Sequence, residues 1–146
     1  MLNKAIEIAN KAHAGQFDKG DEQYILHPLR VMLTRKNNVE RICAVLHDVV
    51  EDSNITLEDL AQEGFSEEVL TVLNCLTRRK DESYDQFIDR ILKNETACRI
   101  KLADLDDNMD ITRIKALTVK DLKRIDKYKE ASVKITSALA IKMDNK

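Results

Sequence analysis

An all-α fold is predicted for this chain by three observations. Only 3 of its 146 residues are Gly and 1 is Pro, and aromatics make up 4%, which is poor material for a turn-rich sheet protein. Apolar residues at three- and four-residue spacing run through the chain. Ser and Thr stand just ahead of several of those runs, where their side-chain oxygens can cap a helix N-terminus.

The elements follow in order. Leu2, Ala5, Ile6, Ala9 and Ala12 make one helical stripe, and Gly15 is a natural stop. Pro28 suits the first turn of a second helix carrying Leu29, Val31, Met32 and Leu33. A third helix is predicted from about Val39 to Val50, with an apolar centre from Ile42 to Leu46. Thr56 caps a short helix that ends near Gly64, and Ser66 caps the next, with Glu67 and Glu68 favourable in its first turn. Ser83 caps a helix over Phe87, Ile88, Ile91 and Leu92, and another covers roughly Glu95 to Met109. Thr118 opens a long last helix with Leu122, Ile125, Tyr128, Ile135 and Leu139 along one side, and its Lys120, Lys123, Arg124, Lys127 and Lys129 form a solvent face. The sum is a bundle of about eight helices.

Composition narrows the function classes. With 24 Lys and Arg against 26 Asp and Glu the net charge is −2, which argues against a general nucleic-acid binder. A hydrophobic content of 43% is enough for a packed core, and with no repeat or linker one domain over 1–146 is expected, with no further domain. No signal peptide and no apolar run of membrane-spanning length is seen, so neither secretion nor a membrane partner is expected. Cys43, Cys75 and Cys98 are odd in number and lack Cys-x-x-Cys spacing, as buried free thiols of a cytoplasmic protein would. Composition carries no sign of a particular oligomeric state.

The chemistry lies in rarer residues. His47-Asp48-Val49-Val50-Glu51-Asp52 ends an apolar helix, with Glu51 four residues after His47 and Asp52 four after Asp48. Taken alone it reads equally as a solvated acidic helix end or as a cluster whose charge a divalent metal compensates. His27, just before Pro28, reads alone as a cap or packing residue, and Asp104 as a satisfied structural acid. Together His27, His47, Asp48 and Asp104 would make a His₂Asp₂ set, which suits zinc, manganese or ferrous iron better than calcium and leaves positions for water and substrate.

Four segments carry a resemblance: Ala12-His13-Ala14-Gly15-Gln16-Phe17-Asp18-Lys19; Tyr24-Ile25-Leu26-His27-Pro28; Ala44-Val45-Leu46 with the hexapeptide to Asp52; and Lys101-Leu102-Ala103-Asp104 with Asn108. In this order they resemble the HD-domain metal-dependent phosphohydrolases, and most of all the RelA/SpoT-type guanosine tetraphosphate hydrolases, including the small stand-alone alarmone hydrolases. The resemblance spans roughly Ile6 to Asn108.

That resemblance implies a compact HD-domain bundle. It implies that His27, His47, Asp48 and Asp104 hold the metal, usually manganese, and that Glu51 and Asp52 position or deprotonate the attacking water. It matches Lys19 to a basic residue near the nucleotide, Asn108 to a residue near the sugar, and brings the region of Tyr24 close to substrate. The implied reaction removes the 3′-pyrophosphate of guanosine tetra- or pentaphosphate, leaving GDP or GTP, with roles in the stringent response. A polyanionic substrate needs cations nearby, and Arg78-Arg79-Lys80 and Lys101 are candidates besides Lys19. Read structurally, Arg78-Arg79-Lys80 is a solvated basic turn, Lys101 an ion-pair partner, and Tyr24 a packing residue. His13 is expected in the core or behind the ligands, and one of Asp106 and Asp107 is expected to be exposed.

Two positions depart from the family's pattern: Asp18 stands where Arg is usual, and Gln23 where Pro is usual. Asp18 favours the alternative of an HD-type phosphohydrolase acting on another nucleotide or a nucleoside monophosphate. A third alternative, a module that binds metal and nucleotide without turnover, is disfavoured by the intact Glu51-Asp52 pair.

Overall fold

A computed structural model describes residues 1–144. Among the described residues it contains nine α-helices, one 3₁₀ turn and no strand beyond a single Phe17–Gln23 bridge. The helices are α1 (Leu2–Ala12), α2 (Leu26–Leu33), α3 (Asn38–Leu46), α4 (Val49–Asp52), α5 (Leu57–Gln62), α6 (Glu67–Leu76), α7 (Tyr84–Ile91), α8 (Glu95–Asn108) and α9 (Val119–Asp144), with the 3₁₀ turn over Ile111–Arg113.

Local chemistry accounts for most boundaries. Thr56 and Ser83 form reciprocal capping boxes with Asp59 and Gln86, and Ser66 accepts from the Val69 amide. Thr118 and Asp121 satisfy each other's backbone amides ahead of α9. Pro28 lies in the first turn of α2, where a missing N–H costs nothing.

The expected helix from Val39 to Val50 is two helices. His47 turns both its backbone N–H (3.4 Å) and its ring Nδ1 (2.5 Å) onto the Ala44 carbonyl. In a continuous α-helix that carbonyl would serve the Asp48 amide. Asp48 instead adopts φ −102°, ψ −4°, and the chain restarts as α4. The sequence period could not show this break, because it is made by a side chain.

Leu122 is a second correction: it is 51% exposed, while Asp121 takes the inward position of that turn, capping Thr118 and pairing with Arg124 at 2.8 Å. Arg124 is thereby drawn off the expected solvent face. Lys127 stays exposed on that face and stands 4.4 Å from the centroid of the Tyr84 ring.

The core centres on α3 and α8. Helices α1 and α2 pack on α3, and α8 contacts α2, α3, α6, α7 and α9. Cys43 to Leu46 and Cys98, Ile100 and Leu105 are wholly buried, so the C-terminal end of α3 and the middle of α8 are rigidly held. The three cysteines are free; Cys43 and Cys98 are buried, Cys75 only half so, and burial pushes the Cys43 thiol up to about 12. No helix among the described residues is long and apolar enough to cross a membrane.

Candidate metal centre

Three helix ends and one helix face converge beside this core. His27 comes from the first turn of α2, His47 and Asp48 from the break between α3 and α4, and Asp104 from the inward face of α8. One donor atom from each lies within 4.8 Å of the others. His27 Nε2 is 2.8 Å from Asp104 Oδ1 and 3.7 Å from Asp48 Oδ2; His47 Nε2 is 3.1 and 3.0 Å from the same two oxygens.

The far side of each ring fixes what the near side offers. His47 Nδ1 faces a carbonyl that can only accept, and His27 Nδ1 lies 2.6 Å from Asp107 Oδ2. Each Nδ1 therefore carries a hydrogen and donates, which in a neutral imidazole leaves a lone pair on Nε2. With both rings neutral, two lone pairs and two carboxylate oxygens would meet at one point, and positive charge, as protons or a metal ion, is required among them. A divalent cation with mixed nitrogen and oxygen preference fits that donor set.

Electrostatics agree. Burial opposes charge on His47, but Asp48 and Asp104 outweigh it and hold the imidazole well above its ordinary value. Burial likewise opposes the Asp104 anion, and Lys101, His47 and His27 overcome it and hold the carboxyl well below the carboxylate range. The cluster is a pool of anionic oxygen that attracts cations.

Other expected residues surround it in different ways. Tyr24 Oη donates to Asp48 Oδ2 at 2.6 Å, so its role exceeds packing. Lys101 Nζ is 2.8 Å from Asp104 Oδ2, and Asn108 Nδ2 donates to Asp104 Oδ1 at 3.1 Å. Glu51 shares a 170 Å³ cavity with His47, Asp48, Arg78, Lys101 and Asn108, and accepts the Arg78 backbone amide. Burial and then the Asp48 charge raise the Glu51 carboxyl; burial, Asp48 and Glu51 raise Asp52 to about 6. Asp52 lines neither this cavity nor the next.

A larger cavity of 440 Å³ opens on the other side of His27. Lys19, Tyr24, Asn108, Arg113 and Arg124 are among its lining, and Asn108 borders both cavities. Arg79 and Lys80 are exposed and line neither. Asp18 lines the larger cavity, but its Oδ1 accepts the amides of Gly20 (2.8 Å) and Glu22 (3.0 Å) and so organises the 18–22 turn. His13 is buried, its Nδ1 on Gln16 Oε1 at 2.8 Å; Gln16 also reaches the Asp52 carbonyl at 2.9 Å.

Sequence reasoning missed Asp107, Arg30, Arg113 and Arg124. Asp107 is the half-buried acid and Asp106 the exposed one. Its signal was present, since Asp107 follows Asp104 by three residues and shares its helical face. The arginines gave no such signal.

No family model matches the chain. It is 39% identical over 82 residues to a guanosine-3′,5′-bis(diphosphate) 3′-pyrophosphohydrolase of Borreliella burgdorferi, covering 53% of this chain and 12% of that protein. It is 30% identical over 148 residues to the protein of the same name from Aquifex aeolicus, covering 95% of this chain and 21% of that one. The chain thus spans only about an eighth to about a fifth of these relatives' length. In fold it matches the solved structure of a metazoan ortholog of SpoT that hydrolyzes ppGpp, with a TM-score of 0.75, 21% identity, and 99% and 92% of the two chains covered.

Proposed function

We propose that this chain, a relative of the guanosine-3′,5′-bis(diphosphate) 3′-pyrophosphohydrolases over nearly its whole length, is itself a metal-dependent (p)ppGpp hydrolase. It would remove the 3′-pyrophosphate and leave GDP or GTP. The observation that carries the reading is the convergence of His27, His47, Asp48 and Asp104 with the Glu51 carboxylate in the adjoining cavity.

A divalent ion held by those four residues, Mn²⁺ by the resemblance, would polarise a phosphoryl oxygen and make a neighbouring water a better nucleophile near neutral pH. The chain's own groups supply the remainder. Glu51, fixed by the Arg78 amide, stands ready to orient the attacking water and accept its proton, with Asp52 one residue on as its partner. The water oxygen bonds to the 3′ phosphorus, the bridging bond to the 3′-oxygen breaks, and that oxygen leaves with a proton. Arg78 and Lys101 on one side, and Lys19, Arg113 and Arg124 on the other, offer positive charge to a substrate carrying phosphates at both ends.

Asp18, whose Oδ1 organises its own turn, remains an acid at the rim of the larger cavity beside Arg30, Arg113 and Lys19. A cytoplasmic site of action suits three free thiols.

The test is a product panel. Purified protein with Mn²⁺ is offered guanosine tetraphosphate, common nucleoside triphosphates and monophosphates, and products are identified. Pyrophosphate with GDP supports the reading; phosphate from monophosphates, or no turnover with any of them, contradicts it.

A further inference from the structure

Asp107 is the best-connected acid outside the four candidate ligands. It sits one helical turn beyond Asp104 on α8 and has little exposure, with 13% of its side chain accessible. Its Oδ2 is 2.6 Å from His27 Nδ1 and its Oδ1 accepts from Arg30 Nε at 2.8 Å, while a second Arg30 nitrogen reaches Oδ2 at 3.1 Å. Arg113 closes the other side, donating to the Asp107 carbonyl at 2.7 Å and lying 3.4 Å from Oδ2. Both arginines, Asp107 and His27 border the larger cavity.

We propose that Asp107 is a positioning residue for the metal centre: it accepts the Nδ1 hydrogen of His27, aims Nε2 at the site, and is itself held by Arg30 and Arg113. The inference rests on the reading of His27 as a metal ligand. An imidazole has two nitrogens and a freely turning ring, so a ligand histidine needs an acceptor behind it to fix both tautomer and orientation. His47 has one in the Ala44 carbonyl, which the backbone supplies. His27 has no carbonyl there, and Asp107 does that work. The pair of arginines prevents the carboxylate from rotating away and ties the cations of the larger cavity to the ligand.

The experiment is calorimetric titration of metal-stripped protein with Mn²⁺, beside thermal melts of the stripped proteins. Asp107→Ala should lower Mn²⁺ affinity about 10- to 100-fold. Asp107→Asn keeps an oxygen for the Nδ1 hydrogen and should retain most of the affinity, and Asp106→Ala, at an exposed neighbour, should match wild type. Arg30→Met leaves the acceptor and removes one grip, so a loss of only about 2- to 5-fold is expected, and it remains informative if Asp107→Ala fails to fold. Wild-type affinity in Asp107→Ala, or equal losses in the Ala and Asn variants, would overturn the proposal. Wild-type affinity in Arg30→Met would overturn the part given to the arginines. A wild-type protein that binds no Mn²⁺ would overturn the metal-centre reading beneath it, an outcome distinct from the others.

Discussion

The Tyr24 hydroxyl donates to Asp48 Oδ2 at 2.6 Å, linking the hairpin before α2 to the break between α3 and α4. Tyr24 thus grips the same Asp48 oxygen that faces His47 and His27 at the centre. Burial and the Asp48 charge both push the Tyr24 hydroxyl pKa upward, so it stays a donor throughout the working range. Tyr24→Phe keeps the ring's packing and removes only this bond. Mn²⁺ affinity should fall about 10-fold, read by titration, with little change in the melting of the stripped protein.

The role proposed for the acid pair carries a pH dependence. Asp52 is raised to about 6, by burial first and then by the Asp48 and Glu51 charges, so it is anionic above that value and protonated below it. Turnover should therefore decline as pH falls through about 6, well above the range of an ordinary Asp. A kcat–pH profile checks this, and Asp52→Asn should remove that limb. Glu51→Ala should keep metal and lose turnover; full activity in that variant would refute its role.

The loop that holds Glu51 is braced from a distance. Arg90 pairs with both oxygens of Glu82 at 2.7 and 2.9 Å and donates to the carbonyls of Asn74 and Thr77 at 2.8 Å each. It thereby joins the end of α6 to the start of α7 across the Arg78 turn. Arg90→Ala should cost about 2–3 kcal/mol in chemical denaturation. The Arg90 bond, against a small burial cost, depresses the Glu82 carboxyl to about 2 from 4.5. Its contribution is fully present above pH 4.5 and is lost as pH falls toward 2. The melting-temperature gap between wild type and Glu82→Gln should close over that same interval.

Gly20 marks where the hairpin of residues 17–23 meets the 3₁₀ turn. A Cβ at Gly20 would collide with the Arg113 carbonyl. Gly20→Ala must therefore push apart two walls of the larger cavity, costing about 1–3 kcal/mol. It touches none of the candidate ligands. KM should rise, which steady-state kinetics reads.

Which of these features could be read from the sequence follows from the range of the interactions that make them. Thr56, Ser66, Ser83 and Thr118 were legible as caps because a cap bonds three residues away along its own chain. His27, His47, Asp48 and Asp104 stood out as polar residues in apolar runs, and the fold brings one donor atom of each within 4.8 Å of the others. The helix break at His47 was illegible, since it arises when a ring takes a carbonyl from the ladder. Asp107 shared the helical face of Asp104, but its role was illegible because its partners Arg30 and His27 lie 77 and 80 residues away. Asp18 failed in the opposite way. Its bonds to Gly20 and Glu22 are local, yet comparison with a family that usually has Arg there drew attention to its charge rather than its turn.

The central claim is that four side chains hold one divalent ion without which guanosine tetraphosphate is not cleaved. The most direct measurement strips the protein with chelator and returns Mn²⁺ in steps, following hydrolysis and bound metal in the same samples. The account predicts no turnover in stripped protein, recovery that saturates at one ion per chain, and neither binding nor recovery in Asp48→Ala. Turnover that persists in stripped protein, or that returns with Mn²⁺ in Asp48→Ala as it does in wild type, would contradict it.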